Sequence, residues 1–148
     1  MVPDRIERDI MIAAPIERVW AVITEAEHVG KWFGDVGATI DLRPGGEFRC
    51  SWEKYGTVLG VVVKVEPPTF FSYRWARPLG ANVQPGNSTL VEFSLTPEGN
   101  GTRLRVVESG FRDLDASDDD RAKYAGENHE GWAKELAELA SYMTGVTA

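Results

Sequence analysis

A chain of 148 residues, 43% apolar and 26% charged, is enough for one domain with a sizeable core and too short for two substantial ones. Its formal charge of −7 repels nucleic acid and anionic lipid at long range, which argues against either as the main partner. No apolar run approaches the roughly 20 residues that a membrane-spanning helix needs, so no membrane insertion is expected.

The opening Met1-Val2-Pro3-Asp4-Arg5 lacks a basic start followed by an apolar stretch, so no signal peptide is visible and a cytoplasmic location is expected. Cys50 is the only cysteine, cannot form an internal disulfide and agrees with that compartment. From Arg5 to Ile12, Ile6, Ile10 and Ile12 alternate with Glu7 and Asp9, the pattern of a strand with one solvated face. Pro15 suits a first helical position, and Ile16, Val19, Trp20 and Ile23 then mark the apolar stripe of a short helix reaching about Glu25. A second short helix is expected from Ala26 to Phe33.

Strands are expected from Ala38 to Leu42 and from Glu47 to Glu53, joined by the turn Pro44-Gly45-Gly46. Gly56 to Glu66 makes the next strand, Pro67-Pro68 stops it, and Thr69 to Trp75 follows. The connection from Arg77 to Asn87 carries Pro78, Gly80, Pro85 and Gly86 and is longer than a tight hairpin needs. It reads either as a cover over a pocket mouth or as a plain surface loop. Strands resume from Thr89 to Thr96 and from Thr102 to Ser109, and an acidic bend leads into the last helix. Ser117, three residues before Asp120, resembles a capping box, with Asp118, Asp119 and Asp120 at the positive end of the helix dipole. That role accounts for the three aspartates without a metal, since no calcium-loop pattern accompanies them.

In the last helix Trp132, Leu136, Leu139 and Met143 recur at helical spacing, with Lys134, Glu135 and Glu138 turned away. The strands offer this stripe an inward face of Phe48, Trp52, Phe71, Tyr73, Trp75, Phe93, Leu104 and Val106. The expected architecture is α+β: a seven-stranded curved antiparallel sheet around a long C-terminal helix, with two short helices between strands 1 and 2, as one domain over 1–148. So many aromatics on both walls leave gaps that favour a ligand cavity, the alternative being a solid core. Its expected lining is Trp32, Phe48, Trp52, Phe71, Tyr73, Trp75, Phe93, Val106, Glu108, Trp132 and Leu136.

Glu108 is the most chemical residue of the chain. Leu104 and Val106 face inward and Arg103, Arg105 and Val107 outward, so strand parity turns Glu108 inward. A carboxylate there loses water and seeks a partner such as a nearby arginine or the helix-borne Asn128. It could serve structure, orient a ligand or exchange a proton, and it is the one candidate catalytic residue. His28 and His129 form no spaced ligand pair with each other or with Cys50, so no metal site and no cofactor is expected. Pro44-Gly45-Gly46 lacks the lysine and following helix of a nucleotide loop and reads as a turn.

Five separated segments, Ala14-Pro15-Ile16-Glu17-Arg18-Val19-Trp20, Lys31-Trp32-Phe33, Asp41-Leu42-Arg43-Pro44-Gly45-Gly46-Glu47-Phe48, Glu108-Ser109-Gly110-Phe111 and Glu130-Gly131-Trp132, resemble a known family in the right order. It is the family of homologues of the activator of the heat-shock chaperone ATPase, within the START-like, or polyketide-cyclase and birch-allergen-like, superfamily. The resemblance runs from about Ile6 to Met143 and implies the helix-grip fold and a cavity. Superfamily members bind lipids, sterols, polyketides and plant hormones, and a few act as cyclases or dehydratases, so the fold leaves the reaction open. Eukaryotic activators carry a further amino-terminal domain that docks on the chaperone, for which these 148 residues have no room. Many relatives carry histidine where this chain has Glu108, so a role for an imidazole does not transfer.

Three functions are open on this reading. A binding protein for a small hydrophobic or aromatic molecule, monomeric or homodimeric and more a binder than an enzyme, is preferred. A cyclase or dehydratase using Glu108, and a chaperone-related interaction module with a solid core, are the alternatives.

Overall fold

The structure is a computed structural model that describes residues 2–34, 36–77 and 79–147, the last four of these by backbone alone. Met1 of the N-terminal stretch and Pro78 of the 77–87 connection lie outside the described residues. The elements follow in the order β1 (Arg5–Ile12), α1 (Ile16–Thr24), α2 (Ala26–Trp32), β2 (Gly37–Ile40), β3 (Glu47–Trp52), β4 (Gly56–Glu66), β5 (Phe70–Ala76), β6 (Ser88–Glu98), β7 (Gly101–Ser109) and α3 (Asp118–Thr147). A 3-10 turn, Phe111–Asp113, precedes α3. No helix among the described residues is long and apolar enough to cross a membrane.

All seven strands join one antiparallel sheet in the order β1-β7-β6-β5-β4-β3-β2, the expected meander with β1 returning beside β7. Alternation is the cause: one face carries Phe48, Cys50, Val62, Phe71, Tyr73, Val91, Phe93, Leu104 and Val106, all buried, against Val19, Val22 and Ile23 of α1 and Trp132, Leu136, Leu139 and Met143 of α3. The boundaries shift from the sequence reading by a residue or two at most elements, and two of these shifts have a visible cause. α2 stops at Trp32, leaving Phe33 as its cap, and β2 spans only Gly37–Ile40, because Asp41 turns back through Arg43 toward the Pro44-Gly45-Gly46 bend.

Among the close approaches that require glycine, two shape this sheet. A Cβ on Gly46 would stand 2.0 Å from the Asp41 carbonyl oxygen, so the β2–β3 turn admits no side chain there. Gly60 lies between Phe48 on β3 and Trp75 on β5, and a Cβ would meet the Arg74 carbonyl oxygen at 2.4 Å. The bare backbone lets the Phe48 ring cross β4 and stack on Tyr73, with centroids 4.0 Å apart.

The start of α3 follows the capping pattern. Ser117 Oγ accepts the Asp120 N–H at 3.1 Å, and Asp118, Asp119 and Asp120 fill the first turn. Ser117→Ala should cost about 1 kcal/mol, read as a lowered midpoint in urea unfolding with an unchanged slope.

Candidate functional site

Strand register assembles the site's floor. Trp75 on β5 pairs with Thr89 on β6, and Glu108 on β7 pairs with Val91, two residues further along β6. Trp75, Thr89 and Glu108 therefore share the inner face, Thr89 diagonal to Glu108. On the other side of Glu108 stands its β1 partner Ile6. From above, α3 contributes Asn128 and Trp132, four residues apart and so on one helical face.

These residues converge on one carboxyl group. Glu108 is wholly buried, and five hydrogen bonds reach it. Oε1 accepts from Trp132 Nε1 and Asn128 Nδ2, each at 3.0 Å; Oε2 accepts from Trp75 Nε1 at 2.9 Å, Asn128 Nδ2 at 3.0 Å and Thr89 Oγ1 at 2.5 Å. Indole and amide N–H groups only donate, so the cage matches the acceptors of a carboxylate with neutral donors and no cation in direct contact. Glu108 is turned inward as parity expected, and of the two partners the sequence suggested, a nearby arginine or Asn128, it is Asn128 that donates to it. The amide is held from its other end too, because Arg77 Nη2 donates to Asn128 Oδ1 at 2.7 Å.

Beyond this cage opens a cavity of about 1180 Å³. Its aromatic wall is Phe33, Trp52, Trp75 and Trp132. Phe33 stacks on Trp75 at 5.7 Å and on Trp132 at 5.4 Å, the two indoles stack on each other at 5.7 Å, and Trp52 meets Phe33 edge to face at 5.2 Å. Trp52 Nε1 donates to the Phe33 carbonyl at 2.7 Å, which anchors that corner. The opposite wall comes from Arg77, Leu79, Ala81, Gln84, Pro85, Gly86 and Asn87 of the 77–87 connection, and from Leu114, Asp115 and Ala116 ahead of α3. The connection is tied down by the Arg77 N–H to Asn87 O bond and, through Gly86 O, by the Asp115 N–H.

Of the residues expected to line a cavity, Trp52, Trp75 and Trp132 do so. Phe48, Phe71, Tyr73, Phe93, Val106 and Leu136 are placed in the packed interior, and Glu108 lies behind the wall. Trp32 is also buried, its Nε1 donating to Val22 O at 2.8 Å, and borders a smaller depression of about 660 Å³ between α2 and α3. Burial pushes the Tyr73 phenol well above its ordinary range, and the charges of Glu108, Cys50 and Glu135 add to the effect, so it stays a neutral hydroxyl. Sequence reasoning missed Phe33, Arg77, Leu114 and Tyr124, and it turned Lys134 and Glu135 away from the interior whereas both border the cavity. The available signal was position: the lining aromatics sit at element ends, Trp52 closing β3, Trp75 next to last in β5 and Phe33 capping α2.

An antiparallel sheet gripping a long C-terminal helix, with a cavity where the helix leaves the sheet, defines the helix-grip, START-like class of folds. The family described as Activator of Hsp90 ATPase homolog 1-like protein matches residues 13–144, and the chain belongs to it. Among solved structures, protein MLL2253 from Mesorhizobium loti is similar at 25% identity and a TM-score of 0.78, over 95% of this chain and 96% of that one. CalU16 from Micromonospora echinospora is similar at 24% identity and a TM-score of 0.69, over 93% of this chain and 74% of that one. The Aha1 dimer from Colwellia psychrerythraea gives 20% identity and a TM-score of 0.73, over 92% of each chain. No curated protein matches the chain.

Proposed function

We propose that this protein, acting as one domain in the cytoplasm and as a monomer or homodimer, binds a small hydrophobic or aromatic molecule. The observation that carries the reading is the wall of Phe33, Trp52, Trp75 and Trp132 facing about 1180 Å³ of space, large enough for a molecule of several rings. Flat indole and phenyl faces stack on a flat ligand, and Asn128, Gln84 and Asn87 supply the few polar groups that orient it. The cavity favours this reading over a chaperone-interaction module with a solid core.

The cyclase or dehydratase reading finds less support. Glu108 has no exposed surface, and two indoles and an amide occupy its acceptors. A substrate proton would reach it only after one of those donors left.

Native mass spectrometry of protein purified from its own host tests the proposal. A mass increment lost on denaturation is expected, and Trp52→Ala, which removes a half-buried part of the wall, should weaken its retention about tenfold. Protein that carries no increment, and whose tryptophan emission is unmoved by aromatic compounds, overturns the reading.

A further inference from the structure

Arg77 borders the cavity just past the end of β5, two residues beyond Trp75. Its Cζ stands 4.1 Å from the centroid of the Tyr124 ring, and Nη2 donates to Asn128 Oδ1 at 2.7 Å. Among the described residues it takes part in no ion pair. Arg43, Arg49, Arg103, Arg105 and Arg121 behave differently, each lying on a carboxylate at the surface. The guanidinium of Arg77 is thus held by its face and by one N–H, while the rest of its planar donor fork is not used by any carboxylate.

We infer that the ligand carries a carboxylate, or a planar oxyanion of like shape, seated on Arg77, with its rings against Phe33, Trp75 and Trp132. The inference rests on the ligand-binding reading above. A guanidinium prefers planar, two-oxygen acceptors because its N–H groups form a fixed fork, and a half-buried one gains more from such a partner than an exposed one. The acids that border the same cavity are differently placed. Asp115 and Glu127 are exposed at the mouth, where water and salt screen them, and Glu127 lies 3.9 Å from Lys123. Glu135 is half-buried and shares its stretch of wall with Lys134. The charge of Glu108 does not compete for the ligand's place on Arg77, because Asn128 stands between them and joins them as donor to one and acceptor to the other.

Tryptophan-emission titrations with 2-naphthoate, 2-naphthamide and 2-(aminomethyl)naphthalene test the inference on wild type, Arg77→Gln and Arg77→Lys. Wild type should favour the carboxylate over the amide by about tenfold or more, as expected for one charge-assisted bidentate contact. Arg77→Gln should erase that preference while still binding the amide, which also reports an intact cavity; Arg77→Lys should keep a reduced preference, having charge without the fork. Equal affinity for acid and amide, strongest binding of the amine, or a preference that survives Arg77→Gln overturns the inference and leaves the cavity a neutral or cationic ligand. Wild type that binds none of the three probes overturns the inference, and the ligand-binding reading falls with it only if protein from the host also carries no mass increment.

Discussion

Glu108→Leu should destabilise the protein by about 3 to 5 kcal/mol, whereas Glu108→Gln should cost about 1 to 2 kcal/mol. Leucine fills much of the same space but takes away the acceptor to which the Trp132 N–H and the Asn128 amide donate. Glutamine keeps one acceptor oxygen, and placed with that oxygen toward Trp132 it puts its NH2 near Thr89. The threonine hydroxyl can turn to accept, and it already lies 3.1 Å from Trp75 Nε1 as a substitute acceptor for that indole. Urea melts of the two variants measure the difference; equal losses would mean that Thr89 does not turn.

Trp132→Ala should cost about 3 to 5 kcal/mol. The indole is nearly fully buried, stacked on both Phe33 and Trp75, edge-on to Phe93 at 5.7 Å and bonded to Glu108. Because one side already borders open space, the substitution enlarges an existing cavity, and the lost stacking and the lost donor supply much of the penalty. Trp132→Phe keeps a ring and loses only the N–H, so it should cost about 1 to 2 kcal/mol. A Phe variant as unstable as the Ala variant would transfer the main role from stacking to the hydrogen bond.

How much of this was legible without coordinates depended on periodicity. Alternation in β3, β5 and β7 and the Trp132-Leu136-Leu139-Met143 stripe specify which side of each element is buried, so the sheet, the helix it grips and the inward turn of Glu108 all follow. Parity has no information about depth. Phe71 and Trp75 share a face of β5, yet Phe71 is sealed in the interior while Trp75, next to last in the strand, borders the cavity even with Trp132 of α3 stacked on it. Arg77 and Tyr124 come from a loop and from the polar first half of α3, where no apolar period marks a site, and only the folded chain brings them within 4.1 Å.

The topology also separates two kinds of chain closure. Strands β5, β6 and β7 follow one another, so Trp75, Thr89 and Glu108 meet through successive strand pairings. Beside them, β1 closes the longest loop, Arg5 pairing with Ser109, while α3 follows soon after β7 and lowers Asn128 and Trp132 onto Glu108 from only 20 and 24 residues along the chain. The donors that cage Glu108 thus all lie within 33 residues of it, and only the β1 strand that walls its other side, with Ile6 opposite Glu108, comes from the beginning of the chain.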